Sequence, residues 1–188
     1  MSSEENIIKR KIVIVGDGVA GKTSLLYVFT LGQFPTEYVP TVFENLVTDC
    51  RVDGKAVQLG LWDTAGQEEY DRMRPLSYSK ANVILIGFAL DNPESLRNIR
   101  YKWYDEVTRY CPGIPIILVG LKKDLRLDGT SKYIQYKQGL QMAQAIGARK
   151  YVECSSLTGE GVDNVFEVAT RTSLALPQDN SSGCCTIQ

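Results

Sequence analysis

The chain has 188 residues, 44% of them apolar and 23% charged, with a formal net charge of −1 and no histidine. That length suits one domain with a full core, and the near-neutral balance argues against the basic face of a nucleic-acid binder. Without histidine the usual general base and the commonest zinc ligand are missing, so catalysis must use carboxylates, lysine, hydroxyls, amides or a metal ion.

In chain order, Ile12-Val13-Ile14-Val15 is an apolar run ending at Gly16 and reads as a buried parallel strand. A glycine-rich turn leads into a helix that starts near Ser24. Val42–Val52 and Lys55–Trp62 flank Asp53-Gly54, a hairpin signal. Asn82–Leu90 and Ile114–Gly120 are two more apolar strands. Between them the spacing of Leu96, Ile99, Trp103 and Val107 predicts one helix over Pro93–Tyr110, with Asn92 as its cap and Pro93 as its first residue. Tyr136–Ile146 reads as a helix, Tyr151–Cys154 as the last strand and Val162–Leu174 as a final amphipathic helix. Strands alternating with helices predict an α/β doubly wound sheet, mostly parallel, with one antiparallel edge strand and helices on both faces. A domain over residues 1–176 and a flexible tail over 177–188 follow from the change to Gln, Asp, Asn, Ser and Gly.

Gly16-Asp17-Gly18-Val19-Ala20-Gly21-Lys22-Thr23 fits G-x-x-x-x-G-K-[ST] and lies between a strand and a helix. Such a loop turns backbone N–H groups inward at phosphate oxygens, and the following helix, opening near Ser24, adds its positive end. Lys22 would reach the outer phosphates and the Thr23 hydroxyl would ligate Mg2+. The motif alone does not separate ATP from GTP, or a kinase from a hydrolase. Asp63-Thr64-Ala65-Gly66-Gln67 follows the third strand. Asp63 stands where a second magnesium-supporting carboxylate is needed, Gly66 offers an N–H to a γ-phosphate, and Gln67 orients water.

With these motifs the chain resembles a Rho-family GTPase of the Ras superfamily, over roughly residues 8–175. The stretches that carry the resemblance run from Tyr38 to Asn45, from Asp63 to Arg72 and from Arg74 to Tyr78. The resemblance implies a P-loop NTPase G domain with a six-stranded sheet, binding GTP or GDP with Mg2+. It implies a monomeric switch with exchange factors, GAPs, a guanine-nucleotide dissociation inhibitor and effectors, in the regulation of actin and membrane traffic. Thr41 would join Thr23 on Mg2+ only when a γ-phosphate is present, with Asp63 acting on the ion indirectly. Gln67, Lys22 and Thr41 would be the catalytic set. Phe34, Tyr38 and Pro40 would border the nucleotide, as would the Ala65-Gly66 backbone. Val39-Pro40 precedes Thr41, so no arginine finger is supplied in cis. Unaided hydrolysis should then be slow, about 10⁻⁴ to 10⁻³ per second, and a GAP arginine should raise it about 10⁵-fold.

The family's guanine-reading Asn-Lys-x-Asp or Thr-Lys-x-Asp stands here as Leu121-Lys122-Lys123-Asp124, followed by Leu125, and its Ser-Ala-Lys as Ser155-Ser156-Leu157. Asp124 would still pair with guanine N1–H and the 2-amino group, Lys122 would cover the base, and Ser156 N–H would meet the guanine oxygen. Leu121 and Leu157 lose polar contacts, which leaves two expectations: weaker nucleotide affinity with faster exchange, or no change where neighbouring groups compensate. The helical insert usual after Asp124-Leu125-Arg126 is mostly missing. A binding-only scaffold with impaired hydrolysis is the alternative reading, and a small-metabolite kinase is disfavoured by Asp63–Gln67.

Cys50, Cys111 and Cys154 are scattered and form no CxxC pair, so they read as reduced core or surface residues. Met1–Asn6 is polar and acidic, and no apolar run reaches membrane-spanning length, so a cytoplasmic protein is expected. Cys185-Thr186-Ile187-Gln188 fits C-a-a-X. The expectation is a prenyl group on Cys185, a possible palmitoyl group on Cys184 as second signal, and cycling to the cytoplasmic face of the plasma membrane. Gln178–Gly183 carries no lysine or arginine, so the usual polybasic run is absent.

Overall fold

The structure is a computed structural model, and it describes residues 7–37, 43–126 and 132–175. Six strands form one sheet: β1 (Ile8–Val15), β2 (Phe43–Val52), β3 (Lys55–Thr64), β4 (Val83–Ala89), β5 (Ile116–Leu121) and β6 (Lys150–Glu153). Their order is β2-β3-β1-β4-β5-β6. Only the β2–β3 pair is antiparallel, with Val52 opposite Lys55 across Asp53-Gly54. The remaining pairs are parallel. This is the sheet the alternation predicted.

The helices are α1 (Lys22–Leu31), α2 (Pro93–Asn98), α3 (Asp105–Tyr110), α4 (Tyr136–Ala145) and α5 (Val162–Leu174). The pleat sends alternate residues of each strand to opposite faces. Ile12 and Ile14 therefore enter a core under α1 and α5, while Val13 and Val15 enter a second core under α2, α3 and α4. All seven residues of β4 are buried, as a central strand covered on both faces requires. Phe29 of α1 stacks on Phe166 of α5 with ring centroids 3.8 Å apart.

The single helix predicted over Pro93–Tyr110 is divided. Asn92 caps α2 by accepting from Glu94 N and Ser95 N. The next six residues, Ile99–Tyr104, form a π-helical turn before α3 begins. Such a turn changes the facing of the side chains around it and often marks a functional position. Two short 3₁₀ turns, Glu68–Tyr70 and Arg74–Tyr78, follow β3 and were not expected from periodicity. The C-terminal ends of the parallel strands carry the turns that build the site, the usual position of ligands in an open α/β sheet.

Candidate nucleotide-binding site

The loop between β1 and α1 needs a tight approach at its first residue. Gly16 has φ 145° and lies against the Gly87 carbonyl of β4, where a Cβ would collide. Val19 and Gly21 also take positive φ, 61° and 104°. Alternating left- and right-handed backbone is how a loop turns its N–H groups into one concavity. Lys22, the first residue of α1, is 95% shielded and donates from Nζ to Asp17 O at 2.9 Å. Burial pulls its pKa down to about 8, against the raising effect of Asp63 and Asp17.

Thr23 is the next residue and donates its hydroxyl to Asp63 Oδ2 at 2.5 Å. Asp63, next to last in β3, is almost fully buried, and its Oδ1 has no hydrogen-bond donor among the described residues. Burial raises the Asp63 pKa, opposed by the Thr23 hydroxyl and by Lys22. A hydroxyl and a carboxylate with a bare buried oxygen form an oxygen donor set that suits a hard divalent cation such as Mg2+.

Gly66 lies on the phosphate loop itself. A side chain there would run into Gly18 N, Asp17 C and Gly16 O, so the turn after β3 closes on the loop only because residue 66 has none. Gln67 follows, with its side chain beside Gly18. The backbone on both sides of Gly66 is held by Arg74. This fully buried guanidinium donates from Nε to Ala65 O at 2.9 Å and from Nη2 to Gln67 O at 3.2 Å. It also pairs with Asp71 at 2.6 Å and Glu106 at 2.8 Å, and Tyr78 bonds the second Glu106 oxygen.

Trp103, in the π-helical turn, lies beneath Arg74, with 4.6 Å between the guanidinium and the ring. Its indole N–H donates to Asp17 Oδ1 at 2.7 Å, and Asn98 Nδ2 donates to Asp17 Oδ2 at 2.8 Å. The Asp17 side chain thus faces the helix. Asn98 and Glu106 were not singled out from the sequence, and Arg74 and Trp103 were named there only as part of a family-like stretch and of a helix face, with no role in the site. The available signal was a buried tryptophan, whose N–H must find an acceptor.

At the other end of the site, Asp124 accepts from the Ser155 hydroxyl at 2.5 Å, and Lys123 N donates to Cys154 O at 3.0 Å. Arg126 joins Glu153 through two bonds, of 2.8 and 2.5 Å. These cross-links hold the Asp124 turn and the Ser155-Ser156 turn as one unit. Lys122 takes φ 61°, and its stem runs along Gly21 of the phosphate loop. Leu121 is 1% exposed and packs into the core against Gly87 and Gly21. Leu157, Phe34 and Leu125 are exposed. Tyr38, Pro40 and Thr41 lie outside the described residues, as do Cys184 and Cys185 and most of the shortened segment after Arg126.

The Ras family model matches residues 11–175. The chain is 64% identical over 189 residues to "GTP-binding protein RHO2" of Saccharomyces cerevisiae, covering 97% of this chain and 98% of that one. It is 59% identical over 193 residues to "GTP-binding protein rho2" of Schizosaccharomyces pombe, covering 96% of both. It is 56% identical over 180 residues to "GTP-binding protein RHO1" of Candida albicans, covering 91% of both. The chain is a Rho-family small GTPase. It binds GTP and GDP, hydrolyses GTP and works as a molecular switch, as the family resemblance in its sequence implied.

Proposed function

We propose that this GTPase is a magnesium-dependent switch with slow intrinsic turnover, whose state is read through the segments around Thr41 and Gln67. The observation that carries the reading is the Thr23–Asp63 pair, with its bare buried oxygen, placed directly beside Lys22 at the end of the loop on which Gly66 closes. Mg2+, when bound, neutralises phosphate charge; Thr23 and Thr41 would hold it and Asp63 would orient its shell. Lys22 supplies a buried positive charge for the β- and γ-phosphates. Gly66 offers its N–H to the γ-phosphate, and Gln67 orients the attacking water. Asp124 and Ser156 read guanine, Lys122 covers it, and the Phe34, Tyr38 and Pro40 segment borders it.

Regulation by exchange factors, a GAP and a dissociation inhibitor fits this reading, as do effectors acting on actin and membrane traffic. Residues 1–176 form the switch domain, and 177–188 a tail that is prenylated on Cys185 and palmitoylated on Cys184. The protein then cycles between cytoplasm and plasma membrane. No helix among the described residues is long and apolar enough to cross a membrane.

The test is a single turnover of labelled GTP in magnesium, with and without a Rho-type GAP domain. Slow hydrolysis that the GAP accelerates, and that Gln67→Leu abolishes while GTP stays bound, supports the switch. Stable GTP binding with no hydrolysis under either condition supports a scaffold and removes the role given to Gln67.

A further inference from the structure

The parallel strands all begin at one pole of the domain, and α5 ends there: Arg10 Nε donates to Ser173 O at 3.3 Å. The pole is crossed at the start of β1, the end of α1, the β2–β3 hairpin and the turn into β4. The turns into β5 and β6 and the end of α5 cross it as well. Lys9, Lys55, Lys80, Arg149 and Lys150 are exposed on this rim, with Arg10 half-buried beside them. Among the described residues, Asp53 in the hairpin is taken up by Arg171 at 3.0 Å, and exposed Asp49, level with Lys9 across Gln58, accepts from Gln58 Nε2 at 3.2 Å. Glu4 and Glu5 precede β1 in the sequence. Residues 7–16, 76–90, 107–123 and 132–152 contain no aspartate or glutamate. Two apolar side chains on the same rim, Ile7 and Leu31, are 52% and 56% exposed. The opposite pole is mixed, with Glu68 paired to Lys102 and Glu160 to Lys123. A net charge of −1 therefore conceals a surplus of lysine and arginine at one pole.

Residues 176–188 continue from this pole, and they contain no lysine or arginine. A single lipid chain holds a protein only marginally and needs a second attraction. We propose that the basic pole is a docking surface for an anionic phospholipid bilayer, supplying from the folded domain the charge that the tail lacks. The proposal rests on the membrane reading above for its biological setting. It has a consequence for geometry: the pole faces the bilayer, and the phosphate loop and the Gln67 segment face away from it. Lysine and arginine near an anionic surface are each attracted within about a Debye length, and salt screens that attraction.

The experiment uses the full chain without lipid, loaded with GDP, and sedimentation with phosphatidylcholine vesicles that contain or lack phosphatidylserine. Binding to the anionic vesicles alone, lost as salt is raised, is the expected result. The Lys9→Glu/Lys80→Glu/Arg149→Glu/Lys150→Glu variant should lose at least about 100-fold in partition while keeping its melting temperature and GDP content. Equal binding to both vesicles, or a folded variant that partitions like wild type, overturns the proposal. So does binding to polyglutamate without binding to either vesicle, which would assign the pole to an acidic protein. A tail found unmodified at Cys185 by mass would remove the lipid anchor yet leave the vesicle result standing, so the two failures are distinguishable.

Discussion

Trp103 donates its indole N–H to Oδ1 of Asp17 at 2.7 Å, linking the π-helical turn to the phosphate loop across 86 residues of sequence. The ring has Arg74 at 4.6 Å and Lys102 at 4.8 Å. Lys102 in turn pairs with Glu68, one residue past Gln67, at 2.9 Å. One aromatic side chain therefore touches both the loop that holds phosphate and the groups that hold the Gln67 segment.

Trp103→Phe keeps a ring under the two cations and removes only the donor. A hydrogen bond to a charged group is worth about 1.5–3 kcal/mol, so the variant should lose about 2 kcal/mol in urea unfolding. GDP release, followed with a fluorescent nucleotide, should quicken as Asp17 loosens. Unchanged stability and release would mean that Asn98 alone holds Asp17.

Arg74→Ala strands Glu106 and two backbone carbonyls in a buried site. Breaking a buried ion pair from one side costs about 3–5 kcal/mol, and that loss is expected here. Arg74→Lys should recover little, because one ammonium cannot reproduce a planar fork that meets Ala65 O, Gln67 O, Asp71 and Glu106 together. Single-turnover hydrolysis should fall in both variants with GTP affinity less affected, since Arg74 holds the Gln67 backbone and not the nucleotide.

Leu121→Asn tests the altered guanine motif. The site is core, so an amide there should lower the melting temperature, with a cost of about 1–3 kcal/mol for an imperfectly bonded polar group. It should nevertheless slow GDP release, because the amide lies beside Gly21 and Lys122. Release no slower than wild type would show that apolar packing of Leu121 supports the phosphate loop equally well.

Alkaline pH should expose the burial of Cys154. Burial pushes its thiol from 9.0 up to about 12. Between those values the unfolded thiol loses its proton while the folded one keeps it, so the unfolded state binds fewer protons and stability falls as pH rises. The loss begins near pH 9 and is limited to about 1.4 kcal/mol per pH unit for one group. Melting curves of wild type and Cys154→Ala should diverge in slope above pH 9; parallel curves would refute the assignment. Tyr78 and Tyr151, also raised by burial, add to the alkaline loss in both proteins.

The sheet, its single antiparallel edge and the phosphate loop were all legible in the sequence. Each rests on local order: apolar runs bounded by glycine, an Asp-Gly turn, and a motif whose residues are neighbours in the chain. Asp63 lies in the last two residues of β3, and Gln67 and Asp124 stand three residues past the ends of β3 and β5. Tertiary structure alone decided what holds them. Arg74 reads as one more charged residue until the fold buries it against Glu106, and Trp103 as one more core residue until its N–H reaches Asp17. Leu121, expected from sequence to lose a polar contact to the base, is also a core residue, beside Gly87 and Gly21. The basic pole is likewise invisible in a net charge of −1, because segments far apart in sequence supply its lysines and arginines and only the common direction of the parallel strands gathers them. Sequence fixes what chemistry is available at each position, whereas packing, which acts between residues distant in the chain, decides which groups are desolvated together and so which of them act on one another.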